Sequence, residues 1–204
     1  MRSLIAMILC CSALQAAPYT VKNYQHLMGM RGFSDSLVTL HLTLYEGYVK
    51  NTNELQASLD SKTISAMEFG ALKRRLGWEF DGMRLHELYF DQLGGNGVVD
   101  VKGVLASALA KQFGSLEAWK KDFVSTGLMR GIGWVILYRD PADGKFINAW
   151  INEHDTGHLV SNVPILIMDV FEHAYMPQYG LDRAAYITAF FSNLDWKMVE
   201  NRFK

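Results

Sequence analysis

Cysteine occurs only twice in the 204 residues, side by side at Cys10 and Cys11. Both lie in "MRSLIAMILCCSALQAAP", which carries one basic residue, an apolar run from Leu4 to Leu14, and small residues at Ala16 and Ala17. That layout is expected of a secretory signal peptide over residues 1–17, and the run is too short to span a membrane. Leu14 is large for the third-last position before a cleavage site. Leu9 stands where a lipoprotein anchor on Cys10 would want a small residue. Cleavage would leave an exported chain, periplasmic or secreted, with no disulfide and no thiolate ligand. Any metal chemistry must then use nitrogen and oxygen. An excess of positive charge is missing too: 20 Lys and Arg face 21 Asp and Glu, and loss of Arg2 with the leader would leave 19 against 21. This excludes a nucleic-acid footprint and points to a small partner or a second copy of the chain. Repeats, low-complexity stretches, a P-loop, a dinucleotide glycine fingerprint and a nucleophile elbow are all absent.

What is present is an ordinary globular balance, half hydrophobic and a fifth charged. From Ser34 to about Leu59, apolar residues recur at three and four (Leu37, Leu40, Leu44, Tyr48), predicting an amphipathic helix capped within "SDS". Residues 65–93 predict a second long helix, stopped by "GGNG". A short polar link makes the two an antiparallel hairpin. Residues 100–114 and 115–126 predict two shorter helices. The texture then turns β-rich: "GWVILYRD", the turn "PADG", "KFINAWI" and "VPILIMD" predict three strands. "DRAAYITAFFSNLDWKMVENRF" predicts one closing helix capped by Asp182. The expected fold is α+β: a helical hairpin over residues 18–97, then an α/β part over 98–204 with a small three-stranded antiparallel sheet flanked by helices.

The chemistry-bearing stretch is "DVFEHAY", residues 169–175, at the end of the apolar run "VPILIM". "HELYF" starts like a zinc-protease helix but lacks the second His at i+4. "EHAY" lacks the Glu-x-x-His spacing of di-iron bundles. Four residues remain on different elements: His41 on the apolar face of the first helix, His86 among aromatics on the second, Asp169 ending the third strand, and His173 four residues on. A lone buried histidine is ordinarily a satisfied core residue. Three of them with a carboxylate, all on core-facing positions, need pairing or a metal. A set of three nitrogens and one oxygen suits Fe, Mn or Zn.

"DVFEHAY" resembles the D-x-W-E-H-A-Y signature of the iron/manganese superoxide dismutases. The likeness runs in order through a His on a first long helix, a His before aromatics on a second, "GIGW" opening the sheet, the signature, and a terminal "LDW". The resemblance implies disproportionation of superoxide at one iron or manganese ion per subunit, with a slight lean to iron. His41, His86, Asp169 and His173 would be its ligands and solvent a fifth. It implies a homodimer or dimer of dimers, in which Glu172 bridges to His173 of the partner subunit. Tyr48 would guard the substrate funnel, Arg183 would lie near its mouth, and Tyr89, Trp134 and Phe171 would wall the site.

The departures are also specific. Phe171 replaces a usual Trp. Met176 stands where a second Tyr is usual, and the His that this Tyr would bond across the dimer is replaced by Leu44 or Tyr45. His41 and Tyr48 are seven apart instead of eight. At about 100° per residue, seven steps return within roughly 20° of the start, so a regular helix presents both to one pocket without a π-bulge. The helix position that can carry a solvent-binding Gln is Gly82, which offers no side chain. His154, fifteen residues before Asp169, is expected to take that part, with an imidazole that can change charge near neutral pH. An exposed loop histidine is the bland alternative for His154, and the nearby His158 is expected to be of little consequence. Two other readings stand beside the dismutase: a non-catalytic metal-binding homologue, and a non-haem iron oxygenase with two His and one carboxylate.

Overall fold

The computed structural model describes residues 17–61 and 63–204. The expected leader lies almost wholly outside the described residues. α1 (Asp35–Leu59) begins where the Ser34 hydroxyl accepts the Leu37 N–H. α2 (Ala66–Asp91) begins with a reciprocal capping box between Ser65 and Glu68. The two form the predicted hairpin. The buried face of α1 is Leu37, Val38, His41, Tyr45, Val49 and Thr52, so the stripe is rotated from the one expected. Leu40 is 57% exposed. Tyr45, not Leu44, turns into the core, donating to Glu87 at 3.1 Å.

α3 (Val104–Phe113) and α4 (Leu116–Gly127) follow, then β1 (Trp134–Arg139), β2 (Phe146–Ile151) and β3 (Val163–Asp169). The sheet is antiparallel throughout, in the order β2-β1-β3. Its register sets Trp134 opposite Asp169. β3 is an edge strand whose outward backbone groups need partners. Gln92, wholly buried just past the end of α2, supplies them at Ile167: its carbonyl accepts the Ile167 N–H at 3.2 Å and its amide donates to the Ile167 carbonyl. This clamp fixes the distance between the helix bearing His86 and the strand bearing Asp169.

The short α5 (Met176–Tyr179) precedes α6 (Arg183–Ser192) and α7 (Trp196–Phe203). The single closing helix expected from the sequence is therefore two. Between them the chain turns back to the end of α2: the Asp195 N–H donates to the Gln92 carbonyl at 2.8 Å, and Leu194 bridges Leu93. The Asp195 carboxylate then caps α7. The contact requires glycine, since a Cβ on Gly95 would lie 2.3 Å from the Leu194 carbonyl oxygen. No helix among the described residues is long and apolar enough to cross a membrane.

Candidate metal centre

Trp78, Gly82, His86 and Phe90 follow one another at four-residue spacing and form a single ridge of α2. The ridge faces α1, where seven residues of uninterrupted helix bring both His41 and Tyr48 toward it. The Tyr48 ring stacks on His86 at 5.1 Å between centroids, and His41 meets His86 edge-on at 5.0 Å. Gly82 makes this possible. A Cβ there would sit 2.7 Å from Tyr48 Cδ1, inside van der Waals contact. Its missing side chain is thus a seat for Tyr48.

The ligating atoms of His41, His86, Asp169 and His173 all lie within 4.8 Å of one another. Asp169 Oδ2 is 3.2 Å from His41 Nε2, 3.1 Å from His173 Nε2 and 3.6 Å from His86 Nε2. Its other oxygen accepts the Phe171 N–H at 2.8 Å. That division leaves Oδ2 directed at the three rings. His86 Nδ1 lies 2.6 Å from the Gly82 carbonyl. A carbonyl only accepts, so this nitrogen carries the proton and Nε2 presents a lone pair. His86 Nε2 is buried and has no hydrogen-bond partner. Such an orphan is costly unless something else binds it. Donors about 2.1 Å from a shared ion lie roughly 3.0–3.6 Å from one another, which matches the spacing around Oδ2. The four residues fit one metal ion.

Burial pushes the His41 and His86 pKa values down, holding both rings neutral as ligation requires. For Asp169, burial alone would raise the pKa, but the facing His173 and His41 rings overcome it and hold the carboxyl far below the usual range. The carboxylate stays ionised.

His154 comes to the same pocket from the loop after β2 and is 1% exposed. Trp134 Nε1 donates to its Nδ1 at 3.0 Å. An indole nitrogen can only donate, so the imidazole proton sits on Nε2, 2.6 Å from Tyr48 Oη. Burial pushes the His154 pKa down to about 4, which favours the neutral ring near pH 7. Phe171 lies against His154 at 4.7 Å and stacks on His173 at 5.3 Å. Tyr89 packs 5.2 Å from His41.

Arg183 is not a loosely solvated charge. Its guanidinium donates to the carbonyls of Gly127, Met129 and Gly131 and to Tyr175 Oη. Glu172 is exposed in the single chain. Two contributors were not singled out from the sequence. Trp78 meets the His154 ring edge-on at 4.6 Å. Tyr186 donates to the Asp169 main-chain carbonyl at 2.6 Å and pairs with the Tyr89 hydroxyl. The four-residue spacing from Trp78 to His86 was a readable signal. Tyr186 had none, being set by packing across three elements.

Comparisons with known proteins agree with this geometry. Residues 101–202 match the family model described as iron/manganese superoxide dismutases, C-terminal domain. The iron superoxide dismutase of Cupriavidus metallidurans is 37% identical over 180 residues, covering 85% of this chain and 90% of that protein. A manganese superoxide dismutase of Haloferax volcanii is 33% identical over 175 residues, covering 84% and 87%. The iron enzyme of Aquifex pyrophilus is 29% identical over 192 residues, covering 90% of each. With the likeness spanning both the helical hairpin and the sheet, the chain belongs to the iron/manganese superoxide dismutase family.

Proposed function

We propose that this chain disproportionates superoxide to oxygen and hydrogen peroxide at one iron or manganese ion held by His41, His86, Asp169 and His173. The observation that carries the reading is the convergence of four donors on one point, with His86 Nε2 buried and otherwise unpartnered. The ion would supply one-electron chemistry, accepting an electron from one superoxide and returning it to the next. Iron is the favoured ion, in line with the name of the Cupriavidus relative.

The chain's own residues set orientation and protons. Gly82 fixes the ligating tautomer of His86, and Phe171 N–H fixes the carboxylate of Asp169. The hydrogen bonds from Trp134 to His154 and from His154 to Tyr48 run in one direction. Tyr48 Oη therefore accepts from His154 and keeps its own proton to point into the pocket. Burial raises the Tyr48 pKa, so the hydroxyl remains a proton donor across the physiological range. Arg183, locked in place by its carbonyl contacts, adds a fixed positive charge that favours approach of a small anion.

An oxygenase site of two His and one carboxylate fits less well, because a third His completes the cluster. A non-catalytic homologue would have no need of the Trp134–His154–Tyr48 chain. We further infer that the protein is exported through residues 1–17 and acts as a homodimer or dimer of dimers, with Glu172 covered by the partner subunit. The test is reconstitution of the purified protein with iron and with manganese separately, followed by a superoxide dismutase assay. Turnover with at least one metal supports the reading. Full occupancy of this site without turnover by either metal rejects it.

A further inference from the structure

The segment from Asn152 to Asn162 forms no regular ladder, so side chains must fix His154 within it. Trp134 and Tyr48 hold its ring. Its main chain is held by His158, the residue expected to matter little. His158 Nε2 lies 2.6 Å from the His154 carbonyl oxygen, and its Nδ1 lies 2.7 Å from Tyr138 Oη. Because the carbonyl only accepts, Nε2 carries a proton, and in that tautomer Nδ1 accepts the Tyr138 hydroxyl. Tyr138 is buried on β1, the strand that begins with Trp134. Asp81, beside Gly82 on α2, lies 4.0 Å from His158 Nε2. One imidazole thus ties the His154 loop to β1, the strand that carries Trp134.

We propose that His158 is a positioning residue for the dismutase reaction, holding the main chain at His154 so that the His154 ring stays between Trp134 and Tyr48. The inference rests on the reading above, in which the His154–Tyr48 pair serves turnover. Hydrogen bonds weaken steeply as their geometry opens, and the two ring contacts can persist together only if the loop carrying them is fixed. A displacement of about 1 Å at a reacting site can cost on the order of 100-fold in rate, so a partial release of the loop is expected to cost about tenfold. Glutamine offers the same donor and acceptor pair as the neutral imidazole, and leucine offers neither.

The test compares the metallated wild type with His158→Leu, His158→Gln, Tyr138→Phe, His154→Ala and the His154→Ala/His158→Leu double variant. Three quantities are read: bound metal per subunit, turnover per bound metal, and amide hydrogen exchange across residues 152–158. His158→Leu should keep its metal, lose about tenfold in turnover and exchange faster across this segment. His158→Gln should restore both, and Tyr138→Phe should show a smaller loss in the same direction. In the His154→Ala background, adding His158→Leu should cost nothing more, because the residue acts through His154. A purely structural role would lower turnover again in that background, which would overturn the proposal. Wild-type turnover in His158→Leu beside an impaired His154→Ala overturns it alone. Wild-type turnover in His154→Ala removes the reading beneath it as well.

Discussion

Gly82 shows how much a single residue can decide here. Its carbonyl sets the tautomer of His86, and its bare Cα seats the Tyr48 ring. Gly82→Ala would add a Cβ 2.7 Å from Tyr48 Cδ1, so the ring must move and its contact with His154 must break. Alanine gains about 0.8–1 kcal/mol of helix propensity over glycine, which offsets part of the strain. The variant is therefore expected to melt near the wild type and hold its metal, while turnover falls about tenfold or more; thermal melts and turnover per bound metal check this. His154 supplies a second residue-scale prediction. Its folded pKa of about 4 lies below the ordinary 6.5, so the unfolded chain binds the extra proton between those values. Stability from this group is complete above about 6.5 and is lost as pH falls toward 4. Asp169, depressed further still, contributes stability that is lost only below its ordinary 3.8. His154→Gln should flatten the fall in melting temperature between pH 6.5 and 4 by about one proton's worth and leave the steeper acid limb in place. The four ligands were legible in the sequence because each sits in a patterned element beside aromatic or apolar neighbours. The neutrality of His154 was not, because it depends on burial among Trp78, Tyr48, Trp134 and Phe171.

At the scale of elements, what the sequence could supply was local. Ser34, Ser65 and Ser115 cap the helices they were expected to begin, and the three strands fall where alternation and turn residues placed them. The closing helix was misread because "SNLDW" contains no proline or glycine and its break is enforced from outside. Asn193 and Leu194 accept from Gly95 and Gly97, and Asp195 pairs with Gln92. Tertiary contact overrides helix propensity there. The Asp195 side chain accepts two N–H groups at the start of α7. Asp195→Ala is expected to cost about 1 kcal/mol, seen as a drop of roughly 2–4 °C in melting temperature with turnover unchanged. The rotated face of α1 has the same kind of cause. Tyr45 and not Leu40 turns inward because Tyr24, Phe90 and the buried Glu87 offer it ring contacts and a hydrogen bond.

The whole molecule is a scaffold that holds two helices and one edge strand at fixed distances, with Gln92 as the tie between α2 and β3. Gln92→Leu should therefore lower metal affinity although it touches no ligand, and a competitive chelator titration would show it. The side of the site carrying Glu172 and the part-exposed His173 is open in the single chain, so the proposed dimer belongs at this scale. Glu172→Ala should shift sedimentation toward monomer and loosen the metal together; a wild-type chain that stays monomeric at micromolar concentration would end that part of the account. The central claim is that four named side chains share one redox metal. Anomalous diffraction from crystals of the iron-loaded and manganese-loaded protein tests it most directly. The account predicts a single peak per subunit at either metal's absorption edge, bounded by Nε2 of His41, His86 and His173 and by Oδ2 of Asp169, and its disappearance in His86→Ala. A peak elsewhere, or an undiminished peak in His86→Ala, would contradict it.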